Sequence, residues 1–228
     1  MNGDTPATRP VAATILGLAL ALGVPLAVLP TGLLLRVAPG DSVTMQLIRE
    51  GAYWALASLV IIVMVMGERQ GVDAIGLRRP HWGTFGWGIL TGIVLVILFP
   101  LTQMVLRILH VSLPIHELAR LDTSPIWLQA LTLIRIGVTE ELLFRAYAIG
   151  RVTALTRSRA LGVIVPWAVF VFCHLESWSV PHLFYVGVAG AILSALYVLR
   201  RDLISNIIAH IFVDGAGFLA AAYMVHSS

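Results

Sequence analysis

Long apolar runs alternate with short polar segments along the whole chain, and this pattern predicts a series of membrane-spanning helices. A helix needs about 20 apolar residues to cross the hydrocarbon core of a bilayer. Seven runs approach this length, at residues 11–35, 52–66, 85–109, 126–150, 161–175, 183–199 and 203–225. The sequence therefore predicts an all-α, polytopic integral membrane protein with about seven transmembrane helices and a buried polar cavity formed by the last four.

Prolines and glycines within these runs predict local helix geometry. Pro25 and Pro100 lie inside the first and third runs, where a proline ring removes a backbone hydrogen bond and kinks a helix. Gly88 and Gly92 stand four residues apart in the third run, and this spacing lets two membrane helices approach closely. We therefore expect a close helix contact at the glycine pair.

The composition supports a membrane protein and excludes three other classes. Hydrophobic residues make up 58% of the 228 residues, and charged residues make up only 12%. A soluble domain of this size cannot bury so much apolar surface, and a disordered chain is far more polar. The one cysteine, Cys173, cannot form an internal disulfide, so we exclude a disulfide scaffold and interpret Cys173 as a small buried residue.

The formal net charge of +3 comes from basic residues that are all arginine. They lie in short clusters between the apolar runs, which is typical of membrane loops, so we predict no nucleic-acid partner. The positive-inside rule then predicts a cytoplasmic N-terminus and an external C-terminus, and we expect the bacterial inner membrane. Nine loop arginines fall on the first side (Arg9, Arg69, Arg78, Arg79, Arg151, Arg157, Arg159, Arg200, Arg201) and four on the other (Arg36, Arg49, Arg107, Arg120).

Ionisable residues inside apolar spans are costly in a bilayer and therefore indicate a function. Glu141 and Arg145 are four residues apart in the fourth span, so they share a helix face and can pair. This pairing leaves the neighbouring Glu140 without a local partner, and such a carboxylate is suited to act as a general base or a metal ligand. The alternative is a buried ion-pair cluster that only stabilises helix packing.

Two histidines on other spans extend this set. His174 ends the apolar run of the fifth span, either as a packing residue or as part of a site, and His210 lies four residues before Asp214 in the seventh. His210 and Asp214 share a helix face, so they can bind a metal together or form a structural hydrogen bond. Glu140, His174 and His210 together form a ligand set common in catalytic zinc sites, which keeps one position open for water.

The ordered motifs resemble those of the CPBP family of intramembrane proteases. This is the CaaX-protease and bacteriocin-processing group, also called Abi, which is related to the type II CaaX prenyl endopeptidases. The motifs are E-E-x-x-x-R, F-x-x-x-H and H-x-x-x-[N/D], and they occur on successive hydrophobic helices within about residues 125–225. The resemblance implies a catalytic membrane core at 125–228, whereas the helices within 1–124 carry no recognisable motif.

The resemblance also implies a role for each motif residue. Glu140 is expected to be the catalytic glutamate, which activates water or binds a metal, and Glu141 and Arg145 are expected to support it. His174 and His210 are expected to be the second and third catalytic residues. The expected cofactor is a divalent metal, zinc by preference, although a glutamate base without a metal is compatible with the same residues.

Asp214 takes a fourth catalytic position, where the prenyl proteases have asparagine. An asparagine side chain can donate a hydrogen bond to a developing oxyanion, whereas an ionised aspartate cannot. Asp214 is therefore expected to be protonated, to bind the metal or to orient His210. Arg135 has no assigned role, and Glu141 or Asp214 is its expected partner.

These residues predict a membrane-embedded endopeptidase that acts on a membrane-associated protein or peptide. Two alternatives use the same polar cluster, namely a small ion- or proton-coupled transporter and a non-catalytic immunity or binding protein. Counting ~1.5 Å per residue along each helix, the three catalytic side chains reach the same depth if the fifth helix begins at Pro166. Residues 152–165 are then expected to lie largely at the membrane interface.

Overall fold

The computed structural model describes residues 11–29, 32–37, 39–40, 42–111, 125–175 and 178–227, apart from several side chains near both ends. This part of the chain is helical and contains no strand. The helices are α1 (Val11–Val28), α2 (Leu33–Val37), α3 (Val43–Gly67), α4 (Trp82–Ile108), α5 (residues 126–156), α6 (Arg159–Cys173), α7 (Val180–Arg200) and α8 (Leu203–Ser227). The all-α polytopic membrane fold predicted from the sequence is confirmed.

Within the described ranges, five helices are long and apolar enough to cross a membrane: α1, α3, α4, α7 and α8. The other two predicted spans correspond to α5 and α6. The apolar helix α6 has only 15 residues, and α5 carries buried charged side chains. Those charges make α5 too polar to be recognised as a span by composition, and two of them, Glu141 and Arg145, belong to the site described below.

Three helices contain π-helical turns, at Ala19–Gly23 in α1, Val63–Gly67 in α3 and Glu141–Tyr147 in α5. The turn in α1 lies directly before Pro25, where the sequence predicted a departure from regular helix geometry. The turn in α5 lies between the α-helical segments Ile126–Glu140 and Ala148–Thr156. π-Helical turns inside α-helices are rare and often mark functional positions, and this one begins at the second glutamate of the E-E motif.

The start of α6 corrects the depth estimate made from the sequence. The helix begins at Arg159, after Ser158, whose hydroxyl accepts a hydrogen bond from the Leu161 amide. Pro166 lies inside this helix, so the expected start at Pro166 is wrong. The helix continues through the proline because a lost backbone hydrogen bond costs less than a stretch of unpaired backbone in an apolar environment.

α4 and α8 approach each other closely at the predicted glycine pair. A Cβ atom at Gly88 would lie 2.8 Å from the Ile208 side chain and from the Ser205 carbonyl oxygen. A Cβ atom at Gly92 would lie 2.7 Å from Phe212. Both distances are shorter than a carbon contact allows, so the helices can pack in this way only with glycine at these positions, as the spacing predicted.

The variant Gly92→Leu is expected to separate α4 from α8 and to lower the melting temperature in detergent. The added side chain would overlap Phe212, and such overpacking costs about 1–3 kcal/mol or more. Gly86→Leu is the matched control, since Gly86 lies in the same helix but no side chain and no other helix packs within 4 Å of a Cβ at that position. Tryptophan fluorescence during heating measures both, and equal melting temperatures would contradict the close contact.

A buried ion pair joins α3 to α5. Arg135 donates to Glu50 through Nε (3.0 Å) and Nη2 (3.1 Å), and its guanidinium lies 4.1 Å from the centroid of the Tyr53 ring. The expected partners of Arg135, Glu141 and Asp214, are therefore wrong. The cause is the predicted second span, which began after Glu50 and so left this glutamate outside the membrane helices.

A second buried pair joins the end of α3 to α5. Glu68 accepts hydrogen bonds from Arg151 (2.8 Å) and from the hydroxyl of Tyr147 (2.8 Å). A Cβ atom at Gly17 of α1 would collide with that hydroxyl, so the network also requires a glycine in α1. Burial raises the pKa of Glu68, but the hydrogen bonds from Arg151 and Tyr147 outweigh it and hold the pKa below its usual value.

Arg151 also corrects the count of loop arginines. The sequence placed it in a loop after the fourth span, but α5 continues to Thr156 and Arg151 is fully buried. Arg9 and Arg120 lie outside the described residues. The predicted orientation of the termini stays a prediction.

Candidate active site

A fully buried carboxylate, that of Glu141, forms the centre of a polar network between α5 and α8. Its Oε1 accepts hydrogen bonds from Arg145 Nη1 (3.1 Å) and from His210 Nδ1 (2.6 Å). Its Oε2 accepts one from Asn206 Nδ2 (2.9 Å). The local pair of Glu141 and Arg145 is present as predicted, and three donors compensate for the burial of the charge.

Asn206 is a member of this network that the sequence analysis missed. Besides Glu141, its amide donates to the carbonyl oxygen of Leu193 in α7 (2.8 Å), so it links three helices. A signal was available, because Asn206 stands four residues before His210 and therefore shares its helix face. Asn206 and His210 therefore both donate to Glu141 from the same face of α8.

Phe170 connects α6 to the same network. The guanidinium carbon of Arg145 lies 4.0 Å from the centroid of its ring, and the ring packs edge to face against Phe144. The carbonyl oxygen of Phe170 accepts a hydrogen bond from His174 Nδ1 (2.7 Å). The F-x-x-x-H spacing therefore does two things, since it covers the arginine and orients the histidine one turn later.

Glu140 lies beside the network without taking part in it. Its Oε2 is buried and has no hydrogen-bond partner in the described part of the chain. His210 Nε2 lies 3.9 Å from this oxygen, and the same Nε2 lies 3.5 Å from Asp214 Oδ2. Two carboxylates thus face one edge of the His210 ring, while Glu141 holds the opposite edge.

This arrangement bears on the roles expected for Asp214. A histidine ring is oriented by the partner of one nitrogen, which determines what the other nitrogen presents. Glu141 holds Nδ1 of His210, and Asp214 faces Nε2. Glu141, and not Asp214, therefore orients the ring through its hydrogen bond with Nδ1. Asp214 instead lies on the side of Glu140, with 30% of its side chain exposed.

His174 completes the group from α6. It is half-buried at the C-terminal end of that helix and interacts electrostatically with Asp214. Cys173, one residue earlier, is buried as expected and interacts electrostatically with Glu140. The structure therefore brings Glu140, His210 and Asp214 together between α5 and α8, with His174 on α6 near enough to Asp214 for their charges to interact.

The donor chemistry of this region suits a divalent metal. A neutral imidazole whose other nitrogen is held by a carboxylate or a carbonyl is the usual form of a metal-binding histidine, and both His174 and His210 have such a partner. Within the described residues, however, no three His, Cys, Asp or Glu side chains lie close enough together to hold an ion. The metal site predicted from the sequence therefore stays a prediction.

A comparison with protein families supports the resemblance seen in the motifs. Residues 122–216, which are less than half of the chain, match the family described as type II CAAX prenyl endopeptidase Rce1-like. The matched segment contains all four grouped residues, and the resemblance to the CAAX-protease group is confirmed there. The predicted division at residue 124 stays a prediction. No curated protein and no solved structure matches the chain.

Proposed function

We propose that the protein is an intramembrane endopeptidase that hydrolyses a peptide bond in a membrane-associated protein or peptide. At family level, the match over residues 122–216 supports a CAAX-type intramembrane protease. The observation that carries the finer proposal is the buried, unpartnered Oε2 of Glu140, which faces the His210 ring. A buried carboxylate oxygen without a donor is costly, and a water molecule is the natural donor for it.

In the proposed mechanism, Glu140 is the general base. Its carboxylate accepts a proton from the water, and the water oxygen attacks the peptide carbonyl carbon. The proton then passes from Glu140 to the leaving amine. Glu141 cannot take this role, because both of its oxygens already accept hydrogen bonds from Arg145, His210 and Asn206.

The two histidines are proposed to hold the reacting atoms from the other helices. Each ring has its Nδ1 occupied, His174 by a backbone carbonyl and His210 by Glu141, so each presents Nε2 to its surroundings. Polar groups whose positions are set beforehand stabilise the charge that develops on the carbonyl oxygen. Asp214 is proposed to lie at the mouth of this region, where its side chain is partly exposed.

A map of new protein termini tests the proposal without knowledge of the substrate. Membranes from cells with the wild-type protein are compared with membranes that contain Glu140→Gln at equal abundance. Asp73→Asn, the same chemical change at an exposed residue, is the matched control. Fragments that occur with the wild type and the control but not with Glu140→Gln support proteolysis and identify the cleaved bond. Identical maps for all three would favour a transporter or a binding protein.

We also propose a second form of this mechanism, in which Glu140 is a ligand instead of a free base and a divalent metal, zinc by preference, would be held by Glu140, His174 and His210. Such an ion would supply a water of lowered pKa. We expect the purified protein to contain about one zinc per chain and to lose both metal and cleavage on chelation. Elemental analysis of His174→Ala and His210→Ala checks the ligands, with His110→Ala at an exposed turn as the control. A fully active protein without metal would favour the glutamate base alone.

A further inference from the structure

One end of the helix bundle collects most of the exposed basic side chains. α3, α5 and α7 end there, and α4, α6 and α8 begin there. The Thr84 hydroxyl at the start of α4 donates to Asp202 before α8 (2.7 Å). The Leu203 amide donates to the Gly76 carbonyl oxygen in the segment after α3 (3.0 Å). These contacts join the segment after α3, the start of α4 and the turn before α8 into one surface, and the turn between α5 and α6 lies at the same end of the bundle.

Seven arginines form what we call the basic rim of this surface. All are exposed except Arg200, which is half-buried, and the rim consists of Arg69, Arg78, Arg79, Arg157, Arg159, Arg200 and Arg201. None of them belongs to an ion pair among the described residues.

The acidic residues at this end do not neutralise the rim. Glu68 is buried against Arg151, and Asp202 accepts hydrogen bonds from Thr84 and from the Ser205 amide. Of the acidic side chains described at this end, Asp73 alone is exposed. The surface therefore has a strong excess of positive charge that attracts anions.

Arg200 gives this surface a specific point of contact. Its Nε is buried and has no hydrogen-bond partner in the described part of the chain, and its guanidinium lies 5.5 Å from the centroid of the Trp87 ring. A Cβ atom at Gly83 would lie 3.4 Å from Arg200 Nη2 and 2.7 Å from the His81 ring. The glycine therefore leaves the space beside both the guanidinium and the imidazole free of a side chain of its own.

Two tryptophans indicate the level of this surface in the membrane. Trp82 is 92% exposed and Trp87 is 45% exposed, and both lie in the first turns of α4. Tryptophan is enriched at the level of the lipid headgroups. The rim arginines, which form no ion pair among the described residues, therefore lie at the level where the phosphate groups of lipids are concentrated. A guanidinium suits the geometry of a phosphate.

We propose that the basic rim is a binding surface for anionic phospholipid, with a headgroup phosphate held at Arg200. A topological signal requires arginines only on the correct side of the membrane. It requires neither a buried donor without a hydrogen-bond partner, such as Arg200 Nε, nor a glycine at position 83 beside that guanidinium. This surface is separate from Glu140 and its neighbours, so the inference does not depend on the proposed peptidase activity.

Native mass spectrometry of the full chain in neutral detergent tests the proposal. Phosphatidylglycerol and phosphatidylcholine are titrated separately, and the lipids that stay bound are counted. The wild type is expected to retain phosphatidylglycerol in preference, and each rim arginine removed is expected to weaken this binding about fivefold. The rim variants are Arg200→Gln and the pair Arg78→Gln with Arg79→Gln. Arg36→Gln with Arg107→Gln, two exposed arginines from elsewhere in the chain, is the matched control.

Three results would overturn the proposal: equal retention of the two lipids by the wild type, an equal loss in the control pair, or displacement of the lipid by glycerol 3-phosphate at the same concentration. The last result would indicate a site for soluble phosphates instead. Arg78 and Arg79 lie in an exposed loop, so their variants keep the test valid if Arg200→Gln fails to fold. We also expect high salt to abolish the preference for phosphatidylglycerol over phosphatidylcholine, because salt screens exposed charges.

Discussion

Glutamine in place of Glu140 is expected to lower peptide cleavage by about 10²–10⁴-fold, the range typical of a lost general base, and to leave thermal stability unchanged. The amide is close to the carboxylate in shape, and Glu140 Oε2 has no hydrogen-bond partner among the described residues. The substitution therefore breaks no hydrogen bond of this oxygen, and its distance of 3.9 Å from His210 Nε2 leaves little direct attraction to lose. It removes the group that is proposed to accept the proton from water.

The measurement uses purified protein in a bilayer and a peptide with the bond identified by terminus mapping. The melting temperature of each sample is recorded in parallel. Asp73→Asn again serves as the control for a carboxylate-to-amide change. Cleavage by Glu140→Gln within about tenfold of the wild type would show that Glu140 is not the base, since a group with that role contributes far more.

The same substitution one residue later is expected to have the opposite effect. Glu141→Gln should destabilise the protein by about 3–5 kcal/mol, the cost of breaking a buried ion pair by removing one partner. Arg145 is only 1% exposed and would keep its charge without a counter-charge. His210 would also lose the carboxylate that holds its Nδ1.

The two variants form an internal comparison, because they make the same chemical change at adjacent positions. We expect Glu140→Gln to have the same melting temperature as the wild type. Glu141→Gln should have a much lower melting temperature, or it should accumulate poorly in the membrane. The double variant Glu141→Leu with Arg145→Met removes both charges and should recover part of the stability, since apolar replacements of a buried pair are often tolerated. Equal melting temperatures for the two single variants would contradict the network around Glu141.

The features that the sequence predicted correctly are those that local spacing determines. An apolar run of sufficient length predicts a membrane helix whatever it packs against. The pairing of Glu141 with Arg145 depends on a separation of four residues in one helix. The close contact at Gly88 and Gly92 follows from the absence of side chains on one helix face, although the sequence did not identify α8 as the partner.

The main errors and omissions involve partners that are distant in the chain. Arg135 pairs with Glu50, 85 positions away, and spacing carries no information about such a pair. Asn206 and His210 meet Glu141 only because α8 packs against α5. The expected helix start at Pro166 failed for a related reason, since the depth of a residue depends on how its helix is held by its neighbours.

The sequence by itself determined that this is a helical membrane protein, and it predicted Glu140, His174, His210 and Asp214 as the residues of its candidate site. Only the tertiary structure decided how the two adjacent glutamates differ. Three donors from two helices converge on Glu141, whereas Glu140 Oε2 has no hydrogen-bond partner in the described residues. A buried carboxylate that lacks hydrogen-bond donors costs free energy of folding. Helix packing determines which donors reach each carboxylate, and the residues next to it in the sequence do not reveal this.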